Sequence, residues 1–235
     1  MHIAVLVTNT DRSEFAAGHP GDGEKFTAML HGVRPDWRVS IFDLTLGEHP
    51  SSLAGFDGAI LGGSPASVND SDGWIAQLGP LIRGIVAAGV PLFGACFGHQ
   101  AIARALGGHV AHNPGGWVLG VTQTQIADLA PWMAGPKGAL RVNAAHTEQV
   151  VALPSGARVL AGNADCPVGI YAIGSKVFAT QYHPEMTDDF LAAAVEEFGP
   201  HLGAQVFGAA RASLSPPADT ARFVAWIVAF FEQSR

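Results

Sequence analysis

The sequence predicts an α/β protein built around a parallel sheet. Two observations predict it. Short apolar runs alternate with segments of helical periodicity through the first hundred residues, the texture of strand–helix–strand units. Those runs are rich in β-branched and aromatic residues, as strands buried on both faces are. The runs are "IAVLVT" (3–8), "VSIFDL" (39–44), "GAILGG" (58–63) and "VPLFGA" (90–95). The intervening helices are "EKFTAMLHGV" (24–33) and "GWIAQLGPLIRGIVAAG" (73–89), each with apolar residues at helical spacing.

Beyond residue 107 the pattern shifts to short strand candidates separated by turn residues. "GHVAH", "WVLGVTQTQI", "ALRVNA", "ARVLAG", "VGIYAI" and "KVFATQYH" predict antiparallel ribbons added to the sheet. Helix returns at "TDDFLAAAVEEFG" (187–199), whose Thr-Asp-Asp start supplies an N-cap and an acidic first turn. "ADTARFVAWIVAFFEQ" (218–233) closes the chain as an amphipathic helix. No repeat, low-complexity tract or long linker interrupts residues 1–235, so a single domain is expected.

Composition narrows the function. Hydrophobic residues are 48% of the 235 and charged residues 14%, enough apolar material for a large core and too much for disorder. A formal net charge of −7 without a Lys/Arg cluster argues against nucleic acid or an anionic membrane as partner. The first residues, "MHIAVLVTNTDR", lack a basic n-region and read as a first strand. Two cysteines far apart, Cys96 and Cys166, make no disulfide framework, which fits a reducing, cytoplasmic compartment.

The chemistry concentrates in "FGACFGHQ" (93–100). Strand 90–95 runs straight into "CFGHQAIARALGG", a helical pattern with a Gly-Gly stop. Cys96 therefore stands at a strand-to-helix turn, framed as Gly94-x-Cys96-x-Gly98. That is the pattern of a nucleophile elbow. Glycines on either side let neighbouring backbone approach closely. The helix N-terminus stabilises a thiolate and an anionic intermediate, and the Phe97 N–H becomes an oxyanion donor. The alternative is a small buried hydrophobe, a common fate of cysteine.

A nucleophile needs a base. His183, in "ATQYHPEM", ends an apolar strand that Pro184 stops. On an extended chain His183 and Glu185 point the same way, so the carboxylate orients the imidazole. Alone, that pair also fits a surface salt bridge. His99 sits wrongly on the helix start to be the base and reads as structural or pocket-lining. His109 and His112 fall on opposite faces of a strand, and "NDSDG" (69–73) lacks the glutamate of a calcium loop, so it reads as capping the next helix. No metal site and no cofactor are expected. Cys166 reads as structural.

Together the segments resemble the class I (triad) glutamine amidotransferases. "GACFGHQ" is similar to that family's G-x-C-x-G-x-Q motif, and "QYHPE" to its Q-x-H-P-E motif. "GAILGGSPASVND" resembles the oxyanion segment and "AAHTEQVVALP" the S-H-x-D/E-x-V-x-x-L-P segment. "GDGEKF" and "ALGGHVAHNPGGWVLGV" resemble the free-standing, GMP-synthetase-like members and γ-glutamyl peptidases. The resemblance implies a flavodoxin-like three-layer αβα sandwich with its site at the carboxyl ends of the strands. It implies Cys96, His183 and Glu185 as triad, Gly63 and Phe97 as oxyanion donors, and Gln100, Ala145, Thr147 and Glu148 as substrate-binding positions. It implies glutamine hydrolysis through a cysteinyl thioester, or γ-glutamyl peptide hydrolysis by the same triad, or a non-catalytic regulatory relative. An S-G-G-x-D-S segment is missing, so a synthetase accepting the ammonia would be a separate chain. One departure stands out: Val118 replaces a glutamate common in relatives, which is expected to alter the pocket rim.

Overall fold

The computed structural model describes residues 1–233. Its strands are β1 (His2–Val7), β2 (Arg38–Asp43), β3 (Gly58–Leu61), β4 (Leu92–Ala95), β5 (His109–His112), β6 (Val118–Ile126), β7 (Gly138–His146), β8 (Glu148–Ala152), β9 (Ala157–Gly162), β10 (Ile170–Ile173) and β11 (Val177–Thr180). Its helices are α1 (Glu14–Ala17), α2 (Asp22–His31), α3 (Gly73–Ala87), α4 (Phe97–Ala105), α5 (Asp188–Phe198), α6 (Ala204–Ser213) and α7 (Thr220–Glu232).

Nine strands form one sheet in the order β2-β1-β3-β4-β11-β10-β9-β6-β7. The first five are parallel and carry the flavodoxin-like order. The remaining four are joined by antiparallel pairings. Side-chain alternation splits the core into two layers. Ile3 and Val5 of β1 pack with Phe26 of α2 and Phe230 of α7 on one face. Ala4 and Leu6 pack with Ile82 of α3 and Ile102 of α4 on the other. Helices therefore cover both faces of the sheet, giving the three-layer αβα arrangement.

Four expectations need correction. β2 is the edge strand and is only partly buried, because it has a neighbour on one side alone. β11, grouped with the ribbons, is the fifth parallel strand and pairs with β4. β5 does not join the main sheet: it pairs with β8, a strand the sequence reading missed, in a separate two-stranded ribbon over α4. Asp72 of the 69–73 loop stands at the N-cap of α3, yet its side chain makes no capping bond. Helix α5 follows expectation, with the Thr187 hydroxyl accepting the Phe190 N–H at 3.2 Å.

The turn from β4 into α4 is packed to backbone contact. A Cβ on Gly98 would lie 2.1 Å from the Leu61 carbonyl oxygen, and one on Gly94 would lie 2.8 Å from the Gly98 carbonyl carbon. Glycine is required at both positions because backbone occupies the space, at Gly94 together with the Ile102 side chain at 2.5 Å. Gly98→Ala should destabilise the fold by about 3 kcal/mol, a fall in Tm on the order of 10 °C for a chain of this size. Gly208→Ala, where a helical Cβ meets nothing within 4 Å, should instead gain about 0.5–1 kcal/mol. Thermal unfolding of the two variants checks both signs.

Candidate active site

Cys96 follows β4 directly and caps α4 in a backbone conformation of φ 50°, ψ −105°. Among the described residues it is the one non-glycine with positive φ. Such a conformation costs about 1–3 kcal/mol and persists only where its surroundings enforce it. Here they do. The Cys96 N–H donates to Thr180 O at 2.8 Å, the Gly98 N–H donates to Gly62 O at 2.9 Å, and Cys96 O accepts from the Gln100 N–H. The turn lies between β3 and β11, tied to both.

The thiol lies in a ring of polar partners. Cys96 Sγ is 3.8 Å from Ala145 O and accepts from Gln181 Nε2 at 3.5 Å. Gln181 Oε1 in turn accepts from Gln100 Nε2 at 3.1 Å. The Phe97 N–H opens α4, so no carbonyl within the helix can receive it. Across the cavity, a Cβ on Gly63 would lie 3.1 Å from His183 Cε1 and 3.8 Å from Cys96 Cβ. Gly63 therefore borders both groups, and its carbonyl is turned onto the Thr8 hydroxyl at 3.0 Å.

His183 lies past the end of β11 rather than within it. The segment His183–Met186 is a turn, closed by the Met186 N–H on His183 O, so the extended-chain argument for His183 and Glu185 is replaced by a turn. The outcome for the side chains is the same. His183 Nδ1 donates to Glu185 Oε1 at 2.7 Å, and both residues are buried. The other ring nitrogen, Nε2, has no hydrogen-bond partner. A buried pair of this kind is not a surface salt bridge. Burial opposes a charge on His183, but the neighbouring Cys96 and Glu185 outweigh it and hold the imidazole well above the ordinary histidine range. Asn143 clamps the turn from both ends: its carbonyl accepts the His183 N–H at 2.9 Å, and its Nδ2 donates to Met186 O at 2.9 Å.

Sequence reasoning missed Asn143 and gave Gln181 no role. An amide at the end of the apolar run "KVFAT", two residues before His183, was the available signal for Gln181. Gln100 is buried, and its Nε2 hydrogens go to Glu148 O at 2.8 Å and to Gln181. Thr147 O receives the Asn113 N–H, and Glu148 Oε2 accepts from the Ser67 hydroxyl at 2.7 Å. Val118 is partly buried against the core and lines neither cavity at the site; its neighbours Trp117 and Leu119 do. The expected change in the rim at Val118 therefore falls on a side chain that does not reach it.

Two cavities meet at Cys96. One, of about 610 Å³, is bordered by Asp70, Gln100, His112, Thr147 and Glu148. The other, of about 690 Å³, runs past His183 to the 9–25 segment and α5. Cys96, Trp117 and Ala145 border both. His99 borders neither; it is fully buried against Tyr171, ring centroids 4.8 Å apart, and desolvation together with nearby His146 pulls its pKa down to about 3. Cys166 is buried too, and desolvation pushes its thiol up to about 12. Among the described residues no group of three or more His, Cys, Asp or Glu could hold a metal ion. None of the helices described is long and apolar enough to cross a membrane.

The family model for glutamine amidotransferase class-I matches residues 32–192, more than half the chain. The protein belongs to that family. It is 30% identical to gamma-glutamyl peptidase 4 of Arabidopsis thaliana over 80% of this chain and 77% of that one. It is 39% identical to one subunit of the glutamine-hydrolysing GMP synthase of Saccharolobus solfataricus over 57% of this chain and 70% of that one. The crystal structure of a glutamine amidotransferase from Thermotoga maritima superposes with a TM-score of 0.78 at 17% identity, covering 98% of each chain, and shares the fold.

The geometry sets the two thiols apart. Iodoacetamide at neutral pH should alkylate Cys96, which borders both cavities, and spare Cys166, which borders neither and holds its proton; peptide mapping reads the result. The buried histidines set the acid limit of stability. His146, held near 4 mainly by desolvation, is neutral in the fold and protonates on unfolding below about pH 6.5. Its contribution is complete above that pH and falls by on the order of 3 kcal/mol as pH drops towards 4. His99 acts with the same sign. His183 has the opposite sign: its contribution is complete below about pH 6.5 and fades as pH rises through its raised value. Tm should therefore peak near neutrality, and His146→Gln should flatten the acid limb.

Proposed function

We propose that this chain cleaves the γ-amide of a γ-glutamyl compound, of which glutamine is the smallest, through a thioester on Cys96. The observation that carries the reading is the strained Cys96 turn facing a buried His183 whose Nε2 has no hydrogen-bond partner and whose Nδ1 is held by Glu185. Residues 1–235 then act as one amidotransferase-like domain. His183 accepts the thiol proton, and the thiolate adds to the γ-carbonyl. The N–H groups of Gly63 and Phe97 receive the oxyanion, each worth about 3 kcal/mol in comparable hydrolases. Protonated His183 gives its proton to the departing nitrogen, the C–N bond breaks, and a His183-activated water releases glutamate. The α-amino acid end is assigned to the smaller cavity, where the carboxylates Asp70 and Glu148 suit an ammonium group.

On glutamine the product is ammonia, and a separate synthetase chain would receive it, a reading supported by the likeness to a GMP synthase subunit. A second reading, γ-glutamyl peptide or amine hydrolysis, is favoured by the size of the cavity on the far side of Cys96. Both need a free thiol, which suits the reducing cytoplasm. The test is turnover of glutamine and of a panel of γ-glutamyl amides, with glutamate release as readout. Cys96→Ala and His183→Ala should abolish it. Glu185→Gln should retain measurable activity, lowered about 10²–10⁴-fold, because the imidazole is present but poorly held. Full activity in His183→Ala would refute the assignment.

A further inference from the structure

We propose that the larger cavity is a leaving-group pocket selective for γ-glutamyl amides of arylalkylamines, meaning amines with an aromatic body and no carboxylate. The inference rests on Cys96 being the nucleophile of a γ-glutamyl amidase. An amide splits at its carbonyl into an acyl half and an amine half, which lie on opposite sides of the attacking sulfur. Cys96 sits where two cavities meet. The smaller cavity is the polar one, bordered by Ser67, Asn69, Gln100, Thr147 and Glu148 with Trp117 as its one large apolar side chain, and it suits the amino acid end of the acyl half, so the amine half enters the other.

The chemistry of that cavity is aromatic. Phe15 of α1 lies 5.1 Å, centroid to centroid, from Phe198 and 5.8 Å from Phe190, both on α5. His19 stacks on Phe15 at 4.3 Å and meets Phe190 edge-on at 5.2 Å. All four rings border the cavity, with Ile41 and Leu202 beside them. Ammonia is a single nitrogen and uses none of this. A 690 Å³ space has room for a drug-sized group, and aromatic walls favour an aromatic occupant.

Charge removes the amino acids as leaving groups. Arg12 borders the cavity but is bonded to Asp43 at 3.4 Å. Lys25 borders it but is bonded to Asp22 at 3.1 Å and covers the Phe190 ring at 3.7 Å. Both lining cations of the lysine and arginine type are thus already matched, and Asp11 and Glu24 add further negative charge. His19 Nδ1 is tied to Phe15 O at 2.8 Å, and His201 lies at the same wall. A dipeptide's free carboxylate would meet like charge, whereas an uncharged arylalkyl group would not. The chemistry stays balanced: the C–N bond breaks, protonated His183 supplies one proton, and the amine leaves neutral as water later completes glutamate.

Three substrates isolate the two claims. Glutamine and γ-L-glutamyl-phenethylamide differ by the arylalkyl group. The phenethylamide and γ-L-glutamyl-phenylalanine differ by one carboxylate. With the purified chain, kcat/KM for the phenethylamide should exceed that for glutamine by about 30-fold or more, from the apolar area the group buries. It should exceed that for the phenylalanine compound by about tenfold. Phe190→Ala should cut the phenethylamide-to-glutamine ratio about tenfold, and Phe15→Ala should do the same if Phe190→Ala fails to fold. A ratio near one in the wild-type chain, preference for the carboxylate compound, or ratios unmoved in the variants would overturn the proposal. The affinity label 6-diazo-5-oxo-norleucine separates the two levels of failure. Label on Cys96 without turnover of the phenethylamide overturns the pocket alone. No label and no turnover overturns the nucleophile and the pocket together.

Discussion

The contact of the Gly98 α-carbon with the Leu61–Gly62 backbone is what the site depends on. It brings α4 so close to β3 that no side chain fits between them, and it fixes where the chain must turn after β4. With the Gly98 N–H on Gly62 O and the Cys96 N–H on Thr180 O, the intervening residues have little freedom, and Cys96 takes a positive φ. The strain is held by two neighbouring strands rather than by the loop itself. The same contact places Gly63, next along from Gly62, beside the imidazole and the cysteine β-carbon. One backbone approach thus sets Cys96, the N-terminus of α4 and Gly63 together.

The second half of the chain supplies what the parallel half lacks. β11 inserts beside β4 and carries the chain to the His183–Met186 turn. β7 reaches across to clamp that turn through Asn143 and offers Ala145 O to the thiol. The β5–β8 ribbon covers α4 and brings Glu148 and Thr147 to the smaller cavity. The antiparallel strands are therefore the means by which groups distant in sequence converge on one sulfur atom.

The sequence made the elbow legible because its requirements are local. Glycine at 94 and 98, an apolar run before and helical spacing after are all within one strand–turn–helix unit. The His183–Glu185 pair was also legible, although for a reason that fails in detail, since a turn and not an extended strand aligns the two side chains. What could not be read were pairings between distant segments. Nothing in "KVFATQYH" distinguishes a ribbon strand from the fifth parallel strand, because burial on both faces looks alike in either. β8 escaped notice as "EQVVA", five residues wedged between turns, and α1 because four residues carry no periodicity. The aromatic wall was invisible for the same reason: Phe15 and Phe190 are far apart in the chain and meet only when α5 folds over the 9–25 segment. Val118 is the converse case, a residue singled out by a motif whose side chain packs against the core.

The charge balance of the buried site also orders the proposed chemistry in time. Burial disfavours a charge on His183, and the neighbouring Cys96 and Glu185 outweigh it and favour the charged form. In the proposed reaction, bonding of the sulfur to the substrate carbonyl would move charge away from His183 to the oxygen, toward the assigned Gly63 and Phe97 amides. One of the two supports of the imidazolium is lost, while burial goes on disfavouring the charge. His183 becomes a stronger acid at the step where the amine needs a proton, and a base again once that amine has gone. Glu185, bonded to Nδ1, is assigned the separate task of holding the ring in place. The switch lies in the formation of the carbon–sulfur bond itself, so proton donation follows addition without any movement of the protein.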